Sequence, residues 1–454
     1  MQVILLVLDI GIWSGVRRKT EIAIAFLQPP VTMLAWSNAF RKFSYLDSVP
    51  SDDDTDEDLE RKWHTWAERE AKKRLILHTF LHDSQVAVLY TNSNPLISPA
   101  QLMMPLPACR ELWLAPNAHA WRNAYQRLAP PSQADTPTML EFFGNTSLID
   151  KYGGVFDKTL CMLISCHGLG HEVWQYRAHA RLLSGWRNVG RRDRSLDHQR
   201  LQRDLLDDLT TLYAHCEVQT NSAPEVMMTL EILMMMLHVD IGDIQTFSGK
   251  TGEDEARKIF PSVSTWSQNA ESRVAVYHAG QVLRWARSFE KTKLRDFFAV
   301  ALYHSVLTLW VYGMVTSNAA RLSGTQTPHH ASLPHSTEPH GAVSAALSQT
   351  VMLDEADERG SRAFRLLGQG TAGISDIHSA FVPLASAQAL MYTAAAILRS
   401  NFPQSRNGLP PLVDNLANLV RIALSIDSYM SQTLANDYTQ HSQMDELGKL
   451  SGRE

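Results

Sequence analysis

Between Arg74 and Tyr125 the chain changes its pattern twice, and this stretch limits the fold more tightly than any other. Leu77, Phe80, Leu81 and Val88 fall near one helical face, the three-to-four-residue spacing at which apolar side chains line up. Asn92, Asn94 and Pro95 then stop that helix, because proline lacks an N–H and clashes with the preceding turn. Pro99, Pro105 and Pro107 hold an extended path, and Trp113 and Trp121 follow as aromatic anchors. The pattern predicts a helix, a proline-held connector and a second helix, and it places no reacting group.

Helical periodicity dominates the remainder, with no convincing run of strand-like alternation. Glu21–Lys42 reads as a helix interrupted by Pro29-Pro30. The acidic run Asp52–Asp54 and Asp56–Asp58 precedes a long helical pattern through Tyr90, and acids suit the positive end of a helix dipole. An acidic activation segment is the sharper alternative for that run. Val155–Ser184 is a third helical block, with Phe156, Leu160, Leu163, Ile164 and Trp174 near one stripe. Arg187, Arg191, Arg192, Arg194, Arg200 and Arg203 follow, interleaved with Asp193, Asp197 and Asp204. Mixed signs without aromatic residues favour an exposed loop over a nuclear-import or DNA-binding patch. Met227, Met228, Met234, Met235 and Met236 crowd Glu225–Ile241, where core filling outweighs an adaptable partner groove.

Asn269–Val315 predicts two helices with a break near Lys291-Thr292-Lys293. Residues 297–315 carry no formal charge and just reach the roughly 20 residues that a spanning helix needs. His304, Ser305 and Thr308 interrupt that run, so a central core helix is expected, with a single membrane span as the alternative. Thr316–Ser344 is rich in Ser, Thr, Pro, Gly and His and reads as a flexible insertion. Helical patterning returns near Ala380–Arg399. It returns again after Pro410-Pro411, where Leu412, Val413, Leu416, Leu419, Val420 and Leu424 keep helical spacing. The tail after Ala435 is polar and reads as frayed.

Composition sets the compartment and narrows the partners. Apolar residues make up 44% of the 454, enough for a sizeable core. The balance of 42 basic against 47 acidic residues, net −5, lacks the basic surplus that phosphate neutralisation asks of a DNA-wrapping chain. Cys109, Cys161, Cys166 and Cys216 are scattered without a CxxC pair, which fits a reducing compartment and makes no case for structural zinc. The start, MQVILLVLDIGIWSGVRRK, is apolar but lacks a positive leading region and a small-residue cleavage site, and it carries Asp9. A core helix ending near Ser14-Gly15 is expected there.

The sharpest chemistry-like pattern is Cys166-His167-Gly168-Leu169-Gly170-His171-Glu172. His167 and His171 sit at i and i+4, the spacing of helical zinc ligands. A metalloprotease helix sets its general base directly after the first His, and here that position is Gly168. Ordinary buried histidines are the expectation. His329, His330, His335 and His340 cluster within the insertion, where loose metal affinity is the sharper reading and an unstructured stretch the plainer one. His278 and His304 lie on apolar helices, as hydrogen-bonded core histidines do. Nucleophile elbows, dinucleotide turns and phosphate loops are missing from the sequence.

Several strings, in this order, resemble the fungal-specific transcription factor regulatory domain, also called the middle homology or xylanolytic-activator-type domain, of the Cys2His2/zinc-cluster transcription factor group. They are Arg74-Leu75, Phe80-Leu81-His82-Asp83-Ser84-Gln85, Pro95-Leu96-Ile97-Ser98, Leu106-Pro107-Ala108 and Leu112-Trp113. A second set resembles it far along the chain, in Ala275-Val276-Tyr277-His278-Ala279-Gly280-Gln281, Leu294–Phe298 and Leu307–Gly313. Phe381–Leu384, Ile397–Phe402 and Leu409–Val413 are similar to its carboxy-terminal portion, and the resemblance covers most of residues 2 to 430. Ile10-Gly11-Ile12-Trp13-Ser14-Gly15 is similar to an element that lies well inside family members, so Met1 is expected to be an internal start or the chain a fragment. A His-Gly pair like His167-Gly168 recurs in the family without a catalytic role.

The resemblance implies an all-α, large multi-helix regulatory domain over 1–315 and 345–430, with a flexible, disordered insertion at 316–344 and a disordered tail at 436–454. It implies a nuclear regulator of RNA polymerase II transcription, not an enzyme. Longer relatives bind DNA and zinc through a finger or cluster region that matches no residue of this chain. No catalytic, cofactor, metal or nucleic-acid residue is therefore assigned. The partners implied are DNA through a region outside this chain and transcription co-regulators, with a homo-oligomer left open and no membrane. Two alternatives stay open: a helical small-molecule-binding protein or metal-dependent enzyme using His167 and His171, and a single-span membrane protein through 297–315. Target genes, effector and the sign of regulation are not legible in the residues.

Overall fold

A computed structural model describes residues 1–45, 48–90, 93–132, 135–152, 154–185, 194–322, 349–356, 358–402 and 408–419. The chain divides into two units, Met1–Leu237 and His238–Glu454. The histidines at 329, 330, 335 and 340, the tail at 436–454, and Arg187, Arg191 and Arg192 lie outside the described residues.

The first unit begins with α1 (Gln2–Ile12), α2 (Arg17–Ala25) and α3 (Gln28–Trp36). The single interrupted helix expected over Glu21–Lys42 is instead two helices. Pro29-Pro30 forms the first turn of α3, where a missing N–H costs nothing, and Asn38 leaves the helix with φ 53°. α1 is only half a core helix. Leu5, Leu8 and Ile12 are buried, while Val3 and Ile10 are each 72% exposed. Gly11 lets α2 approach, since a Cβ there would meet the Ala23 Cβ at 2.8 Å.

Next come α4 (Asp56–Leu89), α5 (Arg110–Trp113), α6 (Ala118–Leu128), α7 (Met139–Gly144), α8 (Leu148–Tyr152), α9 (Lys158–Gly185), α10 (Arg194–Gln219) and α11 (Pro224–His238). The N-cap Thr55 accepts the Asp58 N–H at 3.2 Å, and Asp56, Glu57 and Asp58 occupy the first turn of α4. The acidic run is thus a helix start, placed where the dipole favours it. α9 packs against α4 and α10. Gly168 lets the Phe143 ring of α7 lie close against α9, since a Cβ there would meet that ring at 3.1 Å. The Arg/Asp cluster is not a loop where it is described. Arg200, Arg203, Asp197 and Asp204 ride the outer face of α10, while Leu205, Leu209, Leu212 and Cys216 turn inward. All five methionines of α11 are buried, as core filling requires.

The second unit holds α12 (Ile241–Phe247), α13 (Glu253–Gln268), α14 (Ala270–Arg287) and α15 (Asp296–Leu322). The break expected at Lys291–Lys293 is present, and Asn401 fastens it. Its side chain donates to Glu290 O at 2.9 Å and accepts the Leu294 N–H at 3.0 Å. α15 continues to Leu322, so the first residues of the expected insertion are helical, and 323–348 lies outside the described residues. The helix is long and apolar enough to cross a membrane, yet 83% of its apolar stretch is buried. α14 and α17 (Ala387–Ser400) pack against it within the unit.

The described residues also contain a small sheet that the sequence pattern did not reveal. β1 (Thr350–Met352) pairs in parallel with β2 (Thr371–Ser375), which pairs antiparallel with β3 (Phe381–Pro383), and α16 (Glu358–Leu367) links β1 to β2. Strands of three to five residues are too short to display alternation, and β3 occupies the start of a stretch expected to be helical. The Asp354 carboxylate organises the sheet edge. It accepts the Ser375 N–H at 2.9 Å and its hydroxyl at 2.8 Å, and pairs with Arg287. A short helix, α18, spans 411–419 beyond Pro410.

Candidate functional site

The strings singled out along α4 converge on one buried polar clamp. Glu70, 1% exposed, accepts the Arg74 Nε–H and the Ala108 backbone N–H, each at 3.0 Å. Lys73 Nζ lies 2.5 Å from the other carboxylate oxygen and donates to Leu106 O at 3.2 Å. Arg74 also donates to Asp157 Oδ2 at 3.1 Å and to Ala108 O at 2.6 Å, and its guanidinium lies 5.2 Å from the centre of the Trp113 ring. One turn of helix thereby holds the Leu106-Pro107-Ala108 connector and the start of α9. Prolines cannot satisfy such a connector from within, because they donate nothing.

Further along α4, Asp83 performs the same task for Pro95–Ser98. Its Oδ2 accepts the N–H groups of Leu96 and Ile97, both at 2.8 Å. Burial pushes this carboxyl up to about 6, against the pull of those two amides. His82 meets Asp9 of α1 at 2.9 Å, tying α1 to α4 and contributing to a lowered Asp9 pKa even though burial alone would raise it.

Beside the clamp lies a cleft, a cavity of about 70 Å³ opening to solvent. Trp66, Tyr45, Tyr125 and Phe156 wall it, together with Pro105, Pro130 and Pro131, and Arg69, Glu70 and Lys73 supply its charge. Trp66 stacks obliquely on the fully buried Trp121 with ring centres 5.6 Å apart, which fixes that wall. The enclosed volume is well below the ~300–1,000 Å³ of sites that swallow drug-sized ligands.

His167 and His171 share α9 but not a site. His167 is fully buried, with Nδ1 3.2 Å from the Ser84 hydroxyl, and burial lowers its pKa to about 3. His171 is half-buried and Glu172 exposed. Among the described residues no three His, Cys, Asp or Glu side chains converge as metal ligands. His304 is equally buried, 2.8 Å from Gln245 Nε2, and burial, with the nearby Lys250 charge, lowers its pKa to about 3. His278 stacks on His238 with ring centres 6.4 Å apart. The four cysteines are free and buried, and burial raises the Cys161 and Cys166 thiols.

Glu70, Lys73 and Trp66 were missed from sequence. The i, i+3 and i+4 spacing of Glu70 with Lys73 and Arg74, and of Trp63 with Trp66, was the available signal. It could show a shared face but not the connector that the face would meet.

The sequence model described as fungal specific transcription factor domain matches residues 36–162, a span that contains every residue lining the cleft. The chain is 26% identical over 287 residues to zinc finger protein klf1 of Schizosaccharomyces pombe, covering 58% of this chain and 35% of that protein. It is 22% identical over 365 residues to transcription factor PfmaH of Pestalotiopsis fici, covering 75% and 36%. It is 20% identical over 334 residues to transcription factor 1 of Elsinoe fawcettii, covering 70% and 34%. The chain spans about a third of the length of these curated relatives. No solved structure matches it.

Proposed function

We propose that this chain, a member of the fungal specific transcription factor family through residues 36–162, is the regulatory body of a nuclear transcription factor acting on RNA polymerase II transcription. One observation carries the reading. The strings that resemble the family interlock as a scaffold, Arg74 to Ala108 and Asp83 to Leu96 and Ile97, rather than meeting as reacting groups. Such a scaffold modulates by presenting docking surfaces to co-regulators or to other segments of the same factor. The segments 1–315 and 345–430 act together as one module in this reading. DNA contact and zinc binding belong to a region outside these 454 residues, by likeness to relatives such as the zinc finger protein of Schizosaccharomyces pombe. The −5 charge is consistent with that division of labour.

The test is to tether the full chain to an unrelated DNA-binding domain at a reporter promoter in a fungal host. Reporter output should rise or fall relative to the tethered domain alone. An unchanged output, with the fusion folded and nuclear, would overturn the reading. In a mobility-shift assay the chain alone should show no sequence-selective DNA complex.

A further inference from the structure

We propose that α1 is a self-association surface, through which two copies of this chain pair antiparallel along its outward stripe. Val3, Leu6, Val7 and Ile10 recur at i, i+3, i+4 and i+7, the spacing of one continuous helix face, and all four are exposed, by 49–72%. Leu5, Leu8 and Ile12 occupy the other face and are buried. The helix is apolar on two sides, and the fold covers one of them. Asp9 is its single charged side chain, and it meets His82 of α4. The outward stripe thus carries no charge that would select a partner of opposite sign, and an identical stripe complements it. Size also favours a second copy. With Ile4, 50% exposed beside the stripe, the five residues leave roughly 500 Å² of mostly apolar surface in water, the scale at which such a patch marks a contact site. Each partner in a standard interface contributes ~800 Å², and homodimer interfaces are about 65% apolar. The stripe supplies about that apolar share.

Charge sets the direction of pairing. The Lys19 backbone oxygen lies beside Gly11, so the exposed Arg17, Arg18 and Lys19 gather at the carboxy end of α1. Arg17 and Arg18 share the one carboxylate of Glu21. A parallel pair would bring two such basic groups together. An antiparallel pair sets them at opposite ends of a helix ~16 Å long, beyond the ~8 Å screening length of physiological salt. A two-fold axis between Leu6 and Val7 then places Val3 opposite the partner's Ile10 and Leu6 opposite the partner's Val7, the self-complementary arrangement of a symmetric dimer. A lipid surface fits less well. Helices that lie in a membrane interface carry Lys and Arg on the face opposite the apolar one, and in α1 that face is core. The pairing goes beyond the regulatory reading and does not rest on it, because association is measured on the chain with no promoter present.

The experiment is sedimentation analysis of the full chain without detergent. Between about 1 and 100 μM the mass should rise from one chain to two and stop there. Val7→Glu sets two carboxylates beside the axis and should weaken pairing about tenfold or more, with an unchanged circular dichroism spectrum because Val7 is exposed. Val3→Glu and Ile10→Lys should each pair weakly alone and regain pairing when mixed, since the antiparallel register sets those two positions side by side. Val3→Glu mixed with Val3→Lys should gain less. A chain that stays monomeric at about 100 μM would overturn the proposal, and if it then bound vesicles of phosphatidylcholine and phosphatidylserine the stripe would be a lipid contact instead. So would a folded Val7→Glu variant that dimerises like the wild type, or two Val3 variants that pair better than the Val3 and Ile10 variants do. None of these results bears on the reporter assay, which reads the regulatory function by itself.

Discussion

Glu70 and Ala108 lie 38 positions apart in sequence and meet through a 3.0 Å hydrogen bond from the Ala108 amide to the buried carboxylate. That bond, with the Lys73 and Arg74 pairings on the same carboxylate, converts a proline-rich connector into fixed structure. Removing the carboxylate leaves the Ala108 amide without its acceptor and Lys73 without its ion pair, while Arg74 keeps Asp157. Glu70→Ala should therefore destabilise the first unit by about 3–5 kcal/mol, the cost of breaking a buried ion pair from one side. Glu70→Gln, which keeps an acceptor for Ala108, should cost less. Urea unfolding of the full chain measures both, and equal losses would show that the charge pairs contribute nothing beyond the hydrogen bond.

Acid should loosen the second unit through His304. Its folded pKa, near 3, lies below the ordinary 6.5, so the unfolded chain binds the extra proton between those values. Stability is fully present above pH 6.5 and falls as pH drops toward 3, by at most about 1.4 kcal/mol per pH unit for this one group. His304→Gln, which cannot titrate, should flatten that slope. Thermal midpoints recorded from pH 7.5 to pH 4 decide it, and an unchanged slope in the variant would remove His304 as the source.

In the first unit His167 and Asp83 titrate in opposing senses. His167, with a pKa near 3, favours the fold as pH rises above that range, as His304 does. Asp83 acts the other way. Its folded pKa of about 6 exceeds the ordinary 3.8, so its contribution is present below pH 4 and is lost as pH rises through 6. Asp83→Asn keeps an acceptor for Leu96 and Ile97 without the buried charge. It should raise stability at pH 7 by on the order of 1 kcal/mol. Asp83→Ala orphans both amides and should lower it by about 1–3 kcal/mol. The difference between the two variants in urea midpoints at pH 7 is the measurement.

Gly280 and Gly313 are helical glycines that other helices would exchange for alanine with a gain of up to about 1 kcal/mol. Here a Cβ at Gly280 would lie 2.5 Å from the backbone oxygen of Leu353, and one at Gly313 would run into the backbone of Leu384. Backbone cannot swing aside as a side-chain tip can. Each Gly→Ala change should lose about 1–3 kcal/mol or more from overpacking. Gly144→Ala, with nothing within 4 Å, serves as the control and should be close to neutral. Chemical denaturation of the three variants compares them directly.

What sequence pattern could and could not reveal follows from the reach of each interaction. The end of α4 before Pro95, the methionine helix α11 and the break before α15 are local, set by prolines and by apolar spacing within a few turns. The clamp is not local, because nothing in the spacing of Glu70, Lys73 and Arg74 names Ala108 or Asp157 as partners. The sheet escaped because its strands are three to five residues long and its register rests on Asp354, Ser375 and a crowded Gly373 rather than on alternation. The arginines of α10 read as loop because mixed charge hides the inward stripe of Leu205, Leu209 and Leu212.

Trp310 separates the two meanings of α15. On a membrane-spanning helix an indole at mid-span would meet lipid, and its truncation would leave the folding of the remaining chain nearly unchanged. In this structure Trp310 is fully buried, as are Leu307, Leu309 and Val311, on a helix packed against α14 and α17. Trp310→Ala should then cost about 3–5 kcal/mol, the usual loss for removing a large core aromatic. The wild-type chain should be recovered in the supernatant without detergent, and the variant should unfold at markedly lower urea. A wild-type chain that pellets with membranes and resists carbonate extraction, together with a variant of unchanged urea midpoint, would reassign α15 from core to bilayer.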